Sequence, residues 1–195
     1  SQISQSTHPK KTGSALCNRY ITTDFSEAQL ELITPPLPGK TAGLEFLDHI
    51  HHFVSHNINN EILWPFSMPP TIKSKQDLPI ADYGISNLGL FKQLYRKGLS
   101  HRYGRFMQAI SGVHYNYSLP DSIWHSSFLG DHQLDSRVIR SESYFRMLRN
   151  IYRMNWLVLY LFGASPILSK DFLTKGSEPF KKLTNQTYYL PYATS

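Results

Sequence analysis

Ile21-Thr-Thr-Asp-Phe-Ser-Glu-Ala-Gln-Leu-Glu31-Leu-Ile-Thr-Pro35 is the stretch on which the reading of this chain turns. Its apolar and polar residues alternate with period two, the pattern of a half-buried strand. Ala28, Leu30 and Leu32 fall on the face predicted to enter the core, while Glu27, Gln29 and Glu31 share the other. A second stretch, Gln108-Ala-Ile-Ser-Gly-Val-His114-Tyr-Asn-Tyr-Ser-Leu-Pro120, alternates in the same way. Val113, Tyr115 and Tyr117 lie on one face, and His114, Asn116 and Ser118 on the other. Carboxylates on one strand and an imidazole on another can hold a hard divalent cation, and a polyanion through it. From spacing alone, a metal-binding face and a solvated strand edge weigh evenly.

Working outward, strand signals cover 15–22 and 27–34 and stop at Pro35-Pro-Leu-Pro-Gly39. Phe46, Leu47, Ile50, Phe53 and Val54 recur at helical spacing and predict a helix over 41–58. A strand is expected at 62–68, a helix at 87–101, a strand at 106–119 and an irregular stretch to about 138. A long helix over 141–161 is predicted to bury Tyr144, Leu148, Ile151, Tyr152 and Leu159. Helices and strands interleave without regular βαβ spacing. The expected class is α+β, with a largely antiparallel sheet and flanking helices. Residues 1–14 are polar and expected to be flexible. The 195 residues suit a single domain.

Twenty Lys and Arg against fourteen Asp and Glu leave a net charge of +6 and an isoelectric point near 9.4. Such a field attracts nucleotides and phosphates without identifying one. The single cysteine, Cys17, excludes an internal disulfide framework and fits a reducing compartment; beside Ala15 and Leu16 it reads as a small core residue. The longest apolar run, Trp156 to Leu168, is broken by Gly163, Ser165 and Pro166. It falls short of the roughly 20 residues a membrane-spanning helix needs.

Three other features imitate sites. Pro38-Gly39-Lys40-Thr41 resembles the end of a phosphate-binding loop, but Thr34 stands where the first glycine belongs and prolines fill the loop. A Pro-Gly turn into a helix is the preferred reading. His49, His52 and His56 have the spacing of helical metal ligands, yet lie with Glu45 on what should be a solvated face. Arg146, Arg149 and Arg153 line one face of the long helix and could meet nucleic acid phosphates. No nucleic-acid module accompanies them, and a basic solvent face is the commoner case.

Several longer motifs carry a resemblance. His8-Pro-Lys-x-x-Gly-Ser-Ala-Leu16, Tyr20 to Pro35, Leu63-Trp-Pro-Phe-Ser-Met-Pro69 and Tyr83-Gly-Ile-Ser-Asn-Leu-Gly89 are similar to segments of proteobacterial glutamate–cysteine ligase. So are Met107 to Pro120, Tyr160-Leu-Phe-Gly-Ala-Ser-Pro166 and Tyr188-Tyr-Leu-Pro-Tyr-Ala-Thr-Ser195. The resemblance implies a glutamine-synthetase-like ligase core and a cytoplasmic enzyme. That enzyme uses ATP and Mg²⁺ to join the γ-carboxylate of L-glutamate to L-cysteine through a γ-glutamyl phosphate, the first step of glutathione biosynthesis. Matched residue by residue, Asp24, Glu31 and His114 correspond to metal ligands. Tyr95, Ile110, Phe25 and Leu99 correspond to the amino-acid pocket. Family chains are more than twice as long, with further metal carboxylates before Ser1 and a substrate-gripping arginine after Ser195. The resemblance therefore makes residues 1–195 one incomplete catalytic domain, truncated at both ends, inactive alone and prone to self-association through exposed sheet edges. The alternatives are the ligase part of a bifunctional glutathione-synthesising enzyme and a non-catalytic basic binding module.

Overall fold

The computed structural model describes residues 2–124, 136–163, 166–173 and 180–191. The architecture is α+β, with antiparallel pairing in every described ladder. The chain divides into two compact units, Ser1–Gly112 with Asp171–Leu173, and Val113–Lys170 with Thr174–Ser195.

In the first unit, β1 (Ile21–Thr23) pairs with β2 (Leu30–Leu32), with Ile21 opposite Leu32, Thr22 opposite Glu31 and Thr23 opposite Leu30. The strands expected over 15–22 and 27–34 form only over these residues: residues 15–17 make a turn instead, and residues 24–29 make the turn between the two strands. The Asp24 N–H donates to the Gln29 carbonyl at 2.9 Å, and the Gln29 N–H to the Ser26 carbonyl at 2.8 Å. Helix α1 (Lys40–Asn57) starts after Gly39, whose φ of +76° lets the chain turn sharply from the prolines into the helix. Its apolar stripe puts Ile50 and Val54 against Ile21 and Ile58, with Leu30, Leu32, Phe46 and Leu63 around them. Burying such a side chain contributes about 1.5–3 kcal/mol, so this stripe holds the hairpin to the helix.

Helix α2 (Asn87–Tyr103) begins at Ser86, whose hydroxyl accepts from the Gly89 N–H at 3.1 Å, and stops at Gly104 with φ +82°. The short α3 (Arg105–Gln108) follows. Ile72, Leu78 and Ala109 form a second cluster with Ile3, Phe106 and Phe172. The opening residues are tied down where composition predicts fraying. The Gln5 amide donates to the Asp77 carbonyl at 3.0 Å, Ser6 Oγ to Glu61 at 2.7 Å, and Thr12 is buried. Cys17 is exposed in a turn, its N–H donating to the Ser14 carbonyl at 3.0 Å, which corrects its reading as a core residue.

Two predicted strands do not form. Residues 62–68 run through bends, and 106–119 divides into α3 and a stretch without regular structure. Val113, Tyr115 and Tyr117 are 89%, 74% and 65% exposed, so the face expected to enter the core does not. Alternation states how side chains would sort, whereas a strand also needs a neighbour for its N–H and C=O groups. Among the described residues this stretch makes one backbone–backbone bond to another segment, from Ser111 N–H to the Ser67 carbonyl at 3.0 Å.

The second unit holds α4 (Asp121–Trp124), α5 (Ser136–Phe162) and a sheet of order β3-β5-β4, with β3 Ile167–Ser169, β4 Lys181–Lys182 and β5 Thr187–Tyr189. Trp124 packs against Tyr144 with ring centroids 4.8 Å apart, and the Tyr144 hydroxyl accepts from the Leu119 N–H at 3.1 Å. The long helix is present as predicted, but Leu148, Ile151 and Tyr152 are exposed. Helical periodicity selects a face and supplies nothing to cover it.

Candidate functional site

The hairpin register decides which acidic residues can act together. Residues opposite one another in an antiparallel pair share a face, as do residues two apart on one strand. Thr22 faces Glu31, and the ladder extended through the Asp24 N–H sets Asp24 beside Gln29. Asp24 and Glu31 are therefore diagonal neighbours on the outer face, at a spacing of roughly 7–8 Å between backbones. Ile21, Thr23, Leu30 and Leu32 point the other way, into the core. Both Asp24 and Glu31 are exposed, and neither carboxylate accepts a hydrogen bond among the described residues.

Glu27 belongs to the same polar series but is fully engaged. One carboxylate oxygen accepts from the His8 N–H at 2.9 Å, the other from the Asp82 N–H at 2.8 Å. Its own N–H donates to the Pro79 carbonyl at 3.0 Å. Glu27 is a brace between three chain segments, which the period-two pattern could not distinguish from a ligand.

Helix α2 is fastened to the Asp24 end of the hairpin by Arg96. Its Nε donates to the Asp24 carbonyl, its Nη2 to the Thr23 carbonyl at 3.2 Å and its Nη1 to the Lys92 carbonyl at 3.1 Å. The guanidinium lies 4.7 Å from the ring centroid of Tyr83, whose hydroxyl donates to the Thr23 carbonyl and, at 3.3 Å, to that of Asp24. Burial pushes the Tyr83 phenol up to about 12; the Arg96 charge opposes this, while Asp24, Glu31 and Glu27 add to it. The phenol therefore stays a donor at neutral pH.

The predicted pocket residues gather in this unit. Tyr95, exposed, and Leu99, half-buried, stand one turn apart on α2 beside Arg96. Gln29 Nε2 donates to the Gln108 carbonyl and to Ser111 Oγ, both at 3.0 Å. Those two bonds hold the chain on either side of Ile110 against the hairpin turn. Phe25 is 1% exposed and sits in the core, supporting the turn from beneath. Gln29, which the alternation assigned to the polar face, is a tether. Arg96 and Tyr83 were missed altogether, because no local pattern reports a side chain bonding across more than fifty residues of sequence.

His114 lies in the second unit and is exposed. Among the described residues no three His, Cys, Asp or Glu side chains are grouped to hold a metal ion. The α1 histidines serve the helix itself: His52 Nδ1 lies 3.0 Å from the Asp48 carbonyl and His56 Nδ1 2.7 Å from that of His52. An apolar hollow lined by Leu119, Ile123, Trp124, Met147, Ile151 and Met154 includes none of the predicted site residues. No helix among the described residues is long and apolar enough to cross a membrane.

Comparison with known proteins places this geometry in a family. A model of the glutamate–cysteine ligase family matches residues 1–195. A glutamate–cysteine ligase of Pseudomonas putida (strain W619) is 48% identical over 195 residues, all of this chain and 37% of that protein. The solved glutamate–cysteine ligase of Francisella tularensis in complex with AMP superimposes with a TM-score of 0.87 at 39% identity, over 100% of this chain and 38% of the other. A bifunctional glutathione synthetase from Pasteurella multocida gives a TM-score of 0.74 at 31% identity, over 85% of this chain and 21% of the other. The chain thus spans a little over a third of the length of the ligases it matches. With the family model matched from end to end, the chain belongs to the glutamate–cysteine ligase family.

Proposed function

We propose that this chain carries the nucleotide-linked metal face and part of the amino-acid pocket of a cytoplasmic enzyme that joins L-glutamate to L-cysteine at the expense of ATP. The reaction transfers the γ-phosphoryl group of ATP to the γ-carboxylate of glutamate. The cysteine amine then displaces phosphate, leaving ADP, phosphate and γ-glutamylcysteine. The observation that carries the reading is the hairpin register, which sets two uncommitted carboxylates, Asp24 and Glu31, on one outer face beside α2.

These residues fit Mg²⁺, which takes oxygen donors and is commonly held by one or two carboxylates together with substrate phosphates. Bound there, Mg²⁺ would offset the charge gathered when the phosphates of ATP approach a carboxylate. The protein's own part is positional. Asp24 and Glu31 are held by a ladder whose backbone bonds are already made, so little ordering remains when a cation arrives. Tyr95, Leu99 and Ile110 offer apolar surface suited to the cysteine side chain. His114 corresponds to a metal ligand on its motif match alone, and the AMP complex of the F. tularensis relative supports a nucleotide as co-substrate. The weaker match to the P. multocida protein leaves the bifunctional enzyme as the second reading.

The test is ADP release that depends jointly on glutamate, cysteine and Mg²⁺, measured in the intact protein carrying this sequence and in the 195-residue chain alone. The intact protein should turn over, and Glu31→Gln and Asp24→Asn should each lower turnover at least about 100-fold. The isolated chain should be silent. An intact protein whose turnover survives both substitutions would sink the assignment of the metal face. Activity with another amine and none with cysteine would sink the acceptor.

A further inference from the structure

The Thr23–Asp24 segment is gripped far more tightly than a strand end requires. The Thr23 carbonyl accepts from the Tyr83 hydroxyl and from Arg96 Nη2, and the Asp24 carbonyl accepts from Tyr83 and from Arg96 Nε. The Asp24 N–H is spent on Gln29. On one side of Asp24, the buried Thr23 places its hydroxyl 3.0 Å from His8 Nδ1. On the other, the Phe25 ring is in the core and the Phe25 carbonyl accepts from the Ala81 N–H at 3.0 Å. Asp24 is the one residue of this run whose side chain is exposed, and its carboxylate has no partner among the described residues. A backbone anchored at both neighbours, with its carbonyls turned inward, fixes the Cα–Cβ bond of Asp24 on the solvent side.

Arg96 does most of this and does it in a way lysine could not. Three of its N–H groups go to three different carbonyls, a fork that a single ammonium cannot reproduce. The plane of the fork is fixed by the Tyr83 face beneath it. A guanidinium so spent on peptide carbonyls acts on the site through the backbone.

We infer that Arg96, seated on Tyr83, is a positioning residue that aims the Asp24 carboxylate at a divalent cation by holding the peptide carbonyls of Thr23 and Asp24. This rests on the reading of Asp24 as a metal ligand. Removing such supports behind a metal ligand typically weakens metal binding about 10–100-fold.

Mn²⁺ binding, followed by its electron paramagnetic resonance signal in the intact protein, reads this without any turnover. Arg96→Gln should raise the Mn²⁺ dissociation constant about 10-fold or more. Arg96→Lys should do nearly the same, since it keeps the charge and loses the fork. Tyr83→Phe keeps the ring seat and loses the hydroxyl, so a smaller rise is expected, and the double variant should fall short of the product of the two. Because a misfolded variant would also bind weakly, the dissociation constant for glutamate in the absence of ATP and the far-ultraviolet circular dichroism serve as controls, and both should stay near wild type in Arg96→Lys. Wild-type affinity in Arg96→Lys would mean that charge alone matters and would overturn the inference. Asp24→Asn separates the two readings. If it weakens Mn²⁺ binding while Arg96→Gln does not, only the positioning role fails. If neither changes binding, the metal face fails and the positioning role with it.

Discussion

Replacing Gly89 with alanine would add one methyl group where the fold has no room for it. A Cβ at this position would stand 2.6 Å from the Tyr83 carbonyl oxygen and 2.8 Å from that of Gly84, both main-chain atoms that cannot swing aside. Gly98, in the same helix, has nothing within 4 Å of the same added atom. Alanine is favoured over glycine in a helix interior by about 0.8–1.0 kcal/mol, so Gly98→Ala should stabilise by close to that amount. At Gly89 the same gain is opposed by overpacking, which costs about 1–3 kcal/mol, and by disturbance of the Ser86 cap on its N–H. The net expectation is a loss of about 1–2 kcal/mol, and a gap between the two variants of about 2–3 kcal/mol. Urea unfolding followed by far-ultraviolet circular dichroism would measure both. Both variants make the same chemical change in one helix, so the difference between them reports chiefly the contact with the Tyr83–Gly84 segment and the Ser86 cap. Equal midpoints for the two variants would refute the reasoning, since the close approach of α2 to the Tyr83–Gly84 segment would then be immaterial. Because Tyr83 also holds the Asp24 carbonyl, Gly89→Ala should weaken Mn²⁺ binding as well.

Glu27→Gln should cost about 2 kcal/mol. It replaces one of two charge-assisted acceptors for the His8 and Asp82 N–H groups by an amide NH2 group that cannot accept, and each such bond is worth about 1.5–3 kcal/mol before allowance for partial exposure. Faster hydrogen exchange at those two amides would confirm the route; unchanged exchange would contradict it. His8 supplies a pH dependence. The Thr12 hydroxyl donates to the Pro9 carbonyl at 2.7 Å, so it accepts from His8 Nε2, and Nδ1 lies 3.0 Å from the Thr23 hydroxyl. Burial holds the pKa of the ring below the ordinary 6.5, outweighing the attraction of Glu27 and a backbone hydrogen bond at Gly13, and so favours the neutral form. The unfolded chain then binds the proton more readily, so stability is full above about pH 6.5 and falls as pH drops toward the depressed folded value. The slope of thermal midpoint against pH in this range should flatten in His8→Gln, and an unaltered slope would exclude His8 as its source.

How much could be read beforehand varied with the range of the interaction involved. Helices α1 and α2 follow from apolar spacing and, for α1, from the Pro-Gly turn at Gly39, signals that act within a few residues. The alternation of Leu30, Glu31 and Leu32 likewise sorts these side chains correctly into core and solvent. Over 106–119 the same kind of alternation predicted a strand that the chain does not form, because pairing depends on a neighbour the pattern does not name. Tyr152 shows the same limit on α5, a helix correctly expected on which Leu148, Ile151 and Tyr152 are exposed.

Composition, periodicity and motif resemblance therefore determined the α+β class, the family and the candidate residues Asp24, Glu31 and His114, since each is written in local order along the chain. Only the tertiary structure decided which acidic residues are available. The register turned Asp24 and Glu31 outward together, while bonds from His8 and Asp82 withdrew Glu27. Only the fold brought Arg96 and Tyr83 to the Thr23–Asp24 carbonyls. A hydrogen bond across seventy residues of sequence leaves no periodic trace, because its energy depends on where two distant segments meet and not on what stands next to either.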